Sequence, residues 1–208
     1  MFVHERDKLG KLIAVVGNTG VGKTTFVRNL CRAAEFTTGL EQHEERPFQE
    51  LFSLDHQRYA LANQVDYLLL RAEQEIEIRK GKKTGVQDGG LDQDFYLFTR
   101  LFYRKGYLTD SEYALCARTY KVLRDRLPDP DLMIWMRAPL DKIAERYYQR
   151  DRRLGIARIE DMEIMEGLLE DWLGRNVESP LFVIDSEAED RKYAKAIQKV
   201  IDLIQSLD

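Results

Sequence analysis

The chain has 208 residues, 44% of them apolar, with 36 acidic against 32 basic side chains and a formal charge of −4. That is one domain's worth of sequence with enough apolar residues for a sizeable core, and it is expected to form a single domain over residues 1–208. The charge balance gives no basic field for a nucleic-acid backbone, and no uncharged run approaches the ~18 residues of a membrane span. No nucleic-acid or membrane partner is expected.

In chain order, KLIAVV (Lys11 to Val16) is a β-branched run of buried-strand type. Gly17, Asn18, Thr19, Gly20, Val21, Gly22, Lys23, Thr24 and Thr25 follow it, and they fit the pattern G-x-x-x-x-G-K-[ST]. Glycines let the backbone turn tightly enough for successive N–H groups to face the β- and γ-phosphates of a nucleotide at the positive end of the next helix. Lys23 would reach the outer phosphates, and the Thr24 hydroxyl would meet a magnesium ion that keeps most of its water. The helix itself reads from Thr24 to Phe36, with Phe26, Val27, Leu30 and Ala34 roughly on one face.

An irregular acidic stretch from Thr37 to Arg46 ends at Pro47, and a long helix is expected from about Ser53 to Lys80. TGVQDGG (Thr84 to Gly90) reads as a short strand leading into an aromatic helix, Leu91 to Gly106. Another helix is expected from about Thr109 to Leu127, with Ser111 near its start and Pro128 and Pro130 stopping it. DLMIWM (Asp131 to Met136) is a clear buried strand. After it come a helix carrying RYYQRDRR (Arg146 to Arg153), helix to about Leu173, the strand LFVID (Leu181 to Asp185) and a closing amphipathic helix, about Asp190 to Leu207. Cys31 and Cys116 fall in helical patterns far apart and are expected to be reduced, buried or half-buried thiols. Together with the N-terminal MFVHERDKLGK, which has no apolar stretch of signal type, this predicts a soluble cytoplasmic protein.

Alternation of strands and helices predicts an α/β fold, a parallel sheet with helices on both faces, since parallel neighbours need crossovers. A ligand site is then expected at the carboxyl ends of the strands, where Gly17, Asp88, Arg137 and Asp185 form one rim. A GTPase would show D-x-x-G, but position 91 is Leu, and no N-K-x-D occurs. No LSGGQ signature is present either, and the best strand ends in Met136-Arg137 rather than paired acids, so a small-molecule kinase fits better than a transport or helicase ATPase.

From Lys11 to the last helix the residues resemble the deoxynucleoside kinases, relatives of thymidylate kinase, in particular the bacterial deoxyadenosine/deoxyguanosine kinase type. The resemblance implies a P-loop kinase fold with a five-stranded parallel sheet and an arginine-bearing helical lid at about residues 146–160. It places Glu41, in Glu41-Gln42-His43-Glu44-Glu45-Arg46-Pro47-Phe48, as the base that accepts the hydroxyl proton. Glu41→Gln should then lower turnover by orders of magnitude and leave ATP binding intact. Gln64 and Arg71, in Gln64-x-x-Tyr67-x-x-x-Arg71, match residues that read the nucleobase, and Asp94 matches an aspartate near the base. Asp88 matches the acid that assists the metal with Thr24. Arg146, Arg150 and Arg152 fit R-x-x-x-R-x-R in the lid, closing over the phosphates as charge moves onto the transferring group. Lys23, Arg150 and Arg152 are the expected charge stabilisers, and the loop after Asp185 is expected to face the donor's adenine.

Three positions depart from the family. Gly89 stands where an arginine restrains the 5′ position, and Ser53 and Gly155 stand where a tyrosine and a lid glutamate hold the 3′-hydroxyl, so Tyr59 or Glu160 would have to rebuild that clamp. The function expected is ATP- and Mg2+-dependent phosphorylation of a deoxyribonucleoside 5′-hydroxyl, purine slightly preferred, by a homodimer paired through helices flanking the sheet. Two alternatives stay open on the sequence alone. One is a P-loop kinase of a nucleoside monophosphate or other small alcohol, using Arg46 or Arg58 on the acceptor phosphate. The other is a non-catalytic nucleotide-binding subunit with the same fold.

Overall fold

A computed structural model describes residues 9–39, 46–81, 83–149, 159–175, 178–190 and 192–206. Its strands are β1 (Leu12–Gly17), β2 (Thr37–Gly39), β3 (Gly85–Asp88), β4 (Leu132–Arg137) and β5 (Leu181–Asp185), and they form one sheet in the order β2-β3-β1-β4-β5 with every pairing parallel. The helices are α1 (Lys23–Ala33), α2 (Pro47–Leu54), α3 (His56–Lys80), α4 (Leu91–Gln93) continuing through a π-helical segment (Asp94–Thr99) into α5 (Arg100–Arg104), α6 (Asp110–Arg124), α7 (Leu140–Tyr148), α8 (Met162–Leu173) and α9 (Ala194–Ser206). This is the five-stranded parallel P-loop kinase architecture that the resemblance implies.

The central strands are apolar throughout because both of their faces are covered. From β1, Ile13 and Val15 point to one layer with Phe26, Val27 and Leu30 of α1 and Ile197, Val200 and Ile204 of α9. Ala14 and Val16 point to the other, with Leu68 and Ala72 of α3, Phe95, Leu101 and Phe102, and Trp172 of α8. Phe26, Phe52, Phe102 and Trp172 are almost wholly removed from water, and burial of each such side chain favours folding by roughly 1.5–3 kcal/mol. Tyr103 is exposed, and it stacks on Tyr113.

The boundaries differ from the expectation in two places. Thr37–Gly39, read as irregular, is the edge strand β2, paired with β3; three residues show too little alternation to read as a strand. The long helix from Ser53 is two helices. Pro47 begins the first, and Asp55 turns out of helical geometry (φ −146°) while its carboxylate caps the second by accepting from the Arg58 N–H at 3.1 Å. The start of α6 at Thr109 is as expected, and there the Thr109 hydroxyl and Glu112 close a reciprocal capping box.

A buried charge cluster fixes the far end of α3. Glu75 is fully buried and accepts from Arg79 (2.9 Å) and Arg124 (3.1 Å), while Arg79 also donates to the carbonyls of Pro128 and Asp129. Asp92 accepts from the Tyr120 hydroxyl (2.7 Å) and from Arg124 (3.1 Å); its burial outweighs those contacts and holds its carboxyl above the usual range. Anchored there, α3 presents its other half, with Gln64 and Arg71, to the carboxyl ends of the strands. Cys31 is half-buried and Cys116 buried, both free, and burial pushes the Cys116 thiol up to about 11, so it packs as a neutral apolar group. Among the described residues no helix is long and apolar enough to cross a membrane.

Candidate functional site

The parallel sheet brings Gly17, Asp88, Arg137 and Asp185 to one edge, as the strand order requires: Val15 pairs with Asp88, Gly17 with Met136, and Arg137 with Asp185. Residues 17–25 wrap that edge between β1 and α1. At Gly17 (φ +147°) a Cβ would meet the Met136 carbonyl at 2.5 Å, and Gly22 (φ +113°) turns left-handed immediately before α1, so only glycine suits either place. The turn leaves the first amides of α1 facing the concavity, where the helix end favours anions. The Lys23 ammonium lies across the mouth of the loop, donating to the carbonyls of Gly17 (2.8 Å) and Asn18 (3.0 Å). Phosphate oxygens would replace those carbonyls as its acceptors.

Thr24 and Asp88, 64 residues apart, meet directly: the hydroxyl donates to the carboxylate at 2.6 Å. Two hard oxygen donors beside a phosphate cradle suit magnesium, which draws most of its ligands from water and phosphate. Among the described residues no group of three or more His, Cys, Asp or Glu could hold a metal ion by itself, so a cation here would depend on the nucleotide for its remaining oxygens.

Gln64, Arg71 and Asp94 also converge, all buried to 4% exposure or less. Arg71 Nε donates to Asp94 Oδ2 at 2.7 Å, and Gln64 Nε2 donates to the Asp94 backbone carbonyl at 3.0 Å. The π-helical segment begins at Asp94, and that carbonyl also accepts from the Thr99 hydroxyl at 3.0 Å. The widened turn thus gives Asp94 one oxygen for Gln64 and Thr99 and another for Arg71. Gln87 of β3 holds the Arg71 carbonyl at 3.1 Å. An amide, a guanidinium and a carboxylate so fixed form a rigid polar cluster inside an otherwise apolar layer.

Arg146 lies beside the phosphate loop. Its guanidinium donates to the Val21 carbonyl (3.1 Å), to Ser186 Oγ (2.9 Å) and to the Ser186 carbonyl (3.0 Å), and so ties the loop to the turn after β5. Arg137 stacks over Trp135 and pairs with Glu166 and Glu170 of α8. Glu41, Arg150, Arg152 and Gly155 lie outside the described residues. Ser53 is exposed and its hydroxyl returns to the Glu50 carbonyl of its own helix; Glu160 is exposed, and Tyr59 sits under the Arg58 guanidinium. Arg46 is engaged by Asp66 through both carboxylate oxygens.

Several contacts at the site have no counterpart in sequence reasoning. Asn18 reaches the Met162 carbonyl (2.9 Å) and Glu166 (3.1 Å), fastening the loop to α8, and Gln93 Oε1 accepts the Gly17 N–H at 2.8 Å.

The family model for deoxynucleoside kinase matches residues 13–207 of this chain. The chain is 26% identical over 200 residues to the deoxyadenosine/deoxycytidine kinase of Bacillus subtilis (strain 168), covering 94% of this chain and 92% of that one. It is 27% identical over 150 residues to the deoxyadenosine kinase of Dictyostelium discoideum, covering 72% of this chain and 61% of the relative. In fold it is similar to the deoxyadenosine kinase of M. mycoides solved with bound dATP, with a TM-score of 0.79 at 22% identity over 92% of this chain and 99% of that one. A phosphate loop at the end of β1, a hydroxyl–carboxylate pair beside it and a family match along almost the whole sequence lead to one conclusion: the chain belongs to the deoxynucleoside kinase family and is an enzyme that transfers a phosphoryl group to a deoxynucleoside.

Proposed function

We propose that the chain transfers the γ-phosphoryl group of ATP, with Mg2+, to the 5′-hydroxyl of a purine deoxyribonucleoside, deoxyadenosine first. The observation that carries this reading is the buried Gln64–Arg71–Asp94 group a short way from the Thr24–Asp88 pair, a base reader and a phosphate end on one rim. Adenine presents an exocyclic amine beside a ring-nitrogen acceptor, which an amide can pair with at two points. The relatives named for deoxyadenosine are consistent with it.

In this reading residues 17–25 hold the triphosphate and Glu41 takes the proton from the 5′-hydroxyl as its oxygen bonds to the γ-phosphorus. Lys23, Arg150 and Arg152 neutralise the charge carried to the β-phosphate oxygen, and Arg146 holds the loop that carries the phosphates. Thr24 and Asp88 would hold magnesium, which would supply positive charge to the phosphates. Of the two arginines the monophosphate alternative would use, Arg46 is already paired with Asp66, which leaves it only Arg58. An acceptor screen with Mg-ATP tests the proposal: deoxyadenosine should be turned over ahead of deoxycytidine, and monophosphates hardly at all. Turnover of monophosphates alone would overturn it, and a clear lead for deoxycytidine would overturn the purine preference.

The partner we infer is a second copy. Exposed Leu69 and Ile76 on α3, and exposed Leu115 and Val122 on α6, each form an apolar pair seven residues apart on helices that pack together. Seven-residue spacing is the repeat by which helices pair side by side. Light scattering should give twice the 24.4 kDa of one chain; a single-chain mass would remove the dimer.

A further inference from the structure

We infer that Gln93 is the residue that positions the acceptor's 5′-oxygen in this chain, and that it does so because Gly89 leaves it room. The inference rests on the nucleoside-kinase reading above. Gln93 is 3% exposed, and its Oε1 accepts the N–H of Gly17, the first residue of the phosphate loop, at 2.8 Å. Only the oxygen end of the amide can face that N–H, so the orientation is fixed and Nε2, the donor end, turns away from the loop. It turns toward the Asp88-Gly89-Gly90 turn. A Cβ built on Gly89 would lie 3.3 Å from Gln93 Nε2 and 3.4 Å from Arg71 Nη2.

The space in which a side chain at position 89 would begin is therefore bordered by two N–H groups, one belonging to the base reader and the other fastened to the phosphate loop. A nucleoside whose base lies at Gln64, Arg71 and Asp94 and whose 5′-oxygen attacks a phosphorus held by residues 17–25 must pass its sugar over this turn. Backbone geometry keeps the turn bare: Gly89 sits at φ +88° and Gly90 at φ +111°, where any other residue is strained by ~1–3 kcal/mol. The arginine that the family resemblance calls for at position 89 would begin in tight contact with the ends of Gln93 and Arg71, on a backbone that disfavours any side chain. Gln93, reaching in from α4, supplies the donor in its place, a neutral N–H whose direction is set by the phosphate loop itself.

Two variants separate this role from a purely structural one. Gln93→Glu keeps an oxygen for the Gly17 N–H but replaces the Nε2 donor with an acceptor. It should lower kcat for deoxyadenosine by about a hundredfold, the usual effect of losing one fixed donor at the reacting oxygens, while ATP affinity stays within about twofold. Gly89→Arg should strongly lower activity by crowding Gln93 and straining the backbone at φ +88°, and Gly89→Arg combined with Gln93→Ser, which clears the space, should recover at least about tenfold over Gly89→Arg alone. A Gln93→Glu enzyme with unchanged kcat, an equal loss in kcat and ATP affinity, or a double variant no better than Gly89→Arg would each overturn the inference. If instead the unaltered enzyme fails to phosphorylate any nucleoside while still binding ATP, it is the underlying reading that falls.

Discussion

Lys23→Met is expected to lower kcat by about a hundred- to a thousandfold while moderately weakening ATP binding, because the ammonium matters most as charge shifts onto the leaving phosphate. Its present contacts make the case. Nζ donates to two carbonyls of its own loop, Gly17 and Asn18, so it is held at the mouth of the cradle by the same backbone that would bind the phosphates. Loop geometry should survive the change, since the Asn18 side-chain ties to α8 and the Gly17 N–H bond to Gln93 do not involve the lysine side chain. The fold should therefore melt within a few degrees of the unaltered enzyme. Steady-state kinetics with a direct ATP titration checks this; a loss confined to the Michaelis constant for ATP would assign Lys23 to binding alone.

Breaking the Arg71–Asp94 pair should have the second large effect, on stability and acceptor affinity together. Both side chains are about 95% buried and in contact at 2.7 Å, so Arg71→Met leaves an uncompensated carboxylate in a low-dielectric site. Removing one partner of such a pair costs about 3–5 kcal/mol. Arg71→Met should lower the melting temperature clearly, and Asp94→Asn, which keeps the shape and the backbone carbonyl used by Gln64 and Thr99, should lower it less. Both should raise the Michaelis constant for deoxyadenosine more than that for ATP if, as proposed, the pair faces the acceptor's base. Equal effects on the two substrates would make the pair structural only.

How far the sequence carries depends on the range of the interaction. β1, β4 and the phosphate loop are readable because their causes are local: buried strands are apolar throughout, and Gly17, Gly20 and Gly22 stand where φ is positive. The family pattern located Gln64, Arg71 and Asp94, but not that their polar groups bond to one another, which needs the π-helical segment at Asp94 to widen the turn. β2 was hidden because three residues owe their extended form to pairing with β3 rather than to their own preference. The break at Asp55 had a local signal, a short polar side chain before a helix, that the periodic apolar pattern overrode. Gln93, Ser186 and Arg124 owe their roles to partners tens of residues away, and nothing in their own neighbourhoods marks them, whereas Glu75 and Arg79 are an i,i+4 pair on one helix.

The central claim is that a triphosphate gripped by residues 17–25 gives its terminal phosphoryl group to the 5′-oxygen of a deoxynucleoside. Incubation with γ-labelled ATP, magnesium and deoxyadenosine, followed by separation of the products, tests it directly. The label should move into deoxyadenosine 5′-monophosphate in step with ADP formation. Label recovered only as inorganic phosphate, or on the 3′-oxygen, would contradict the account.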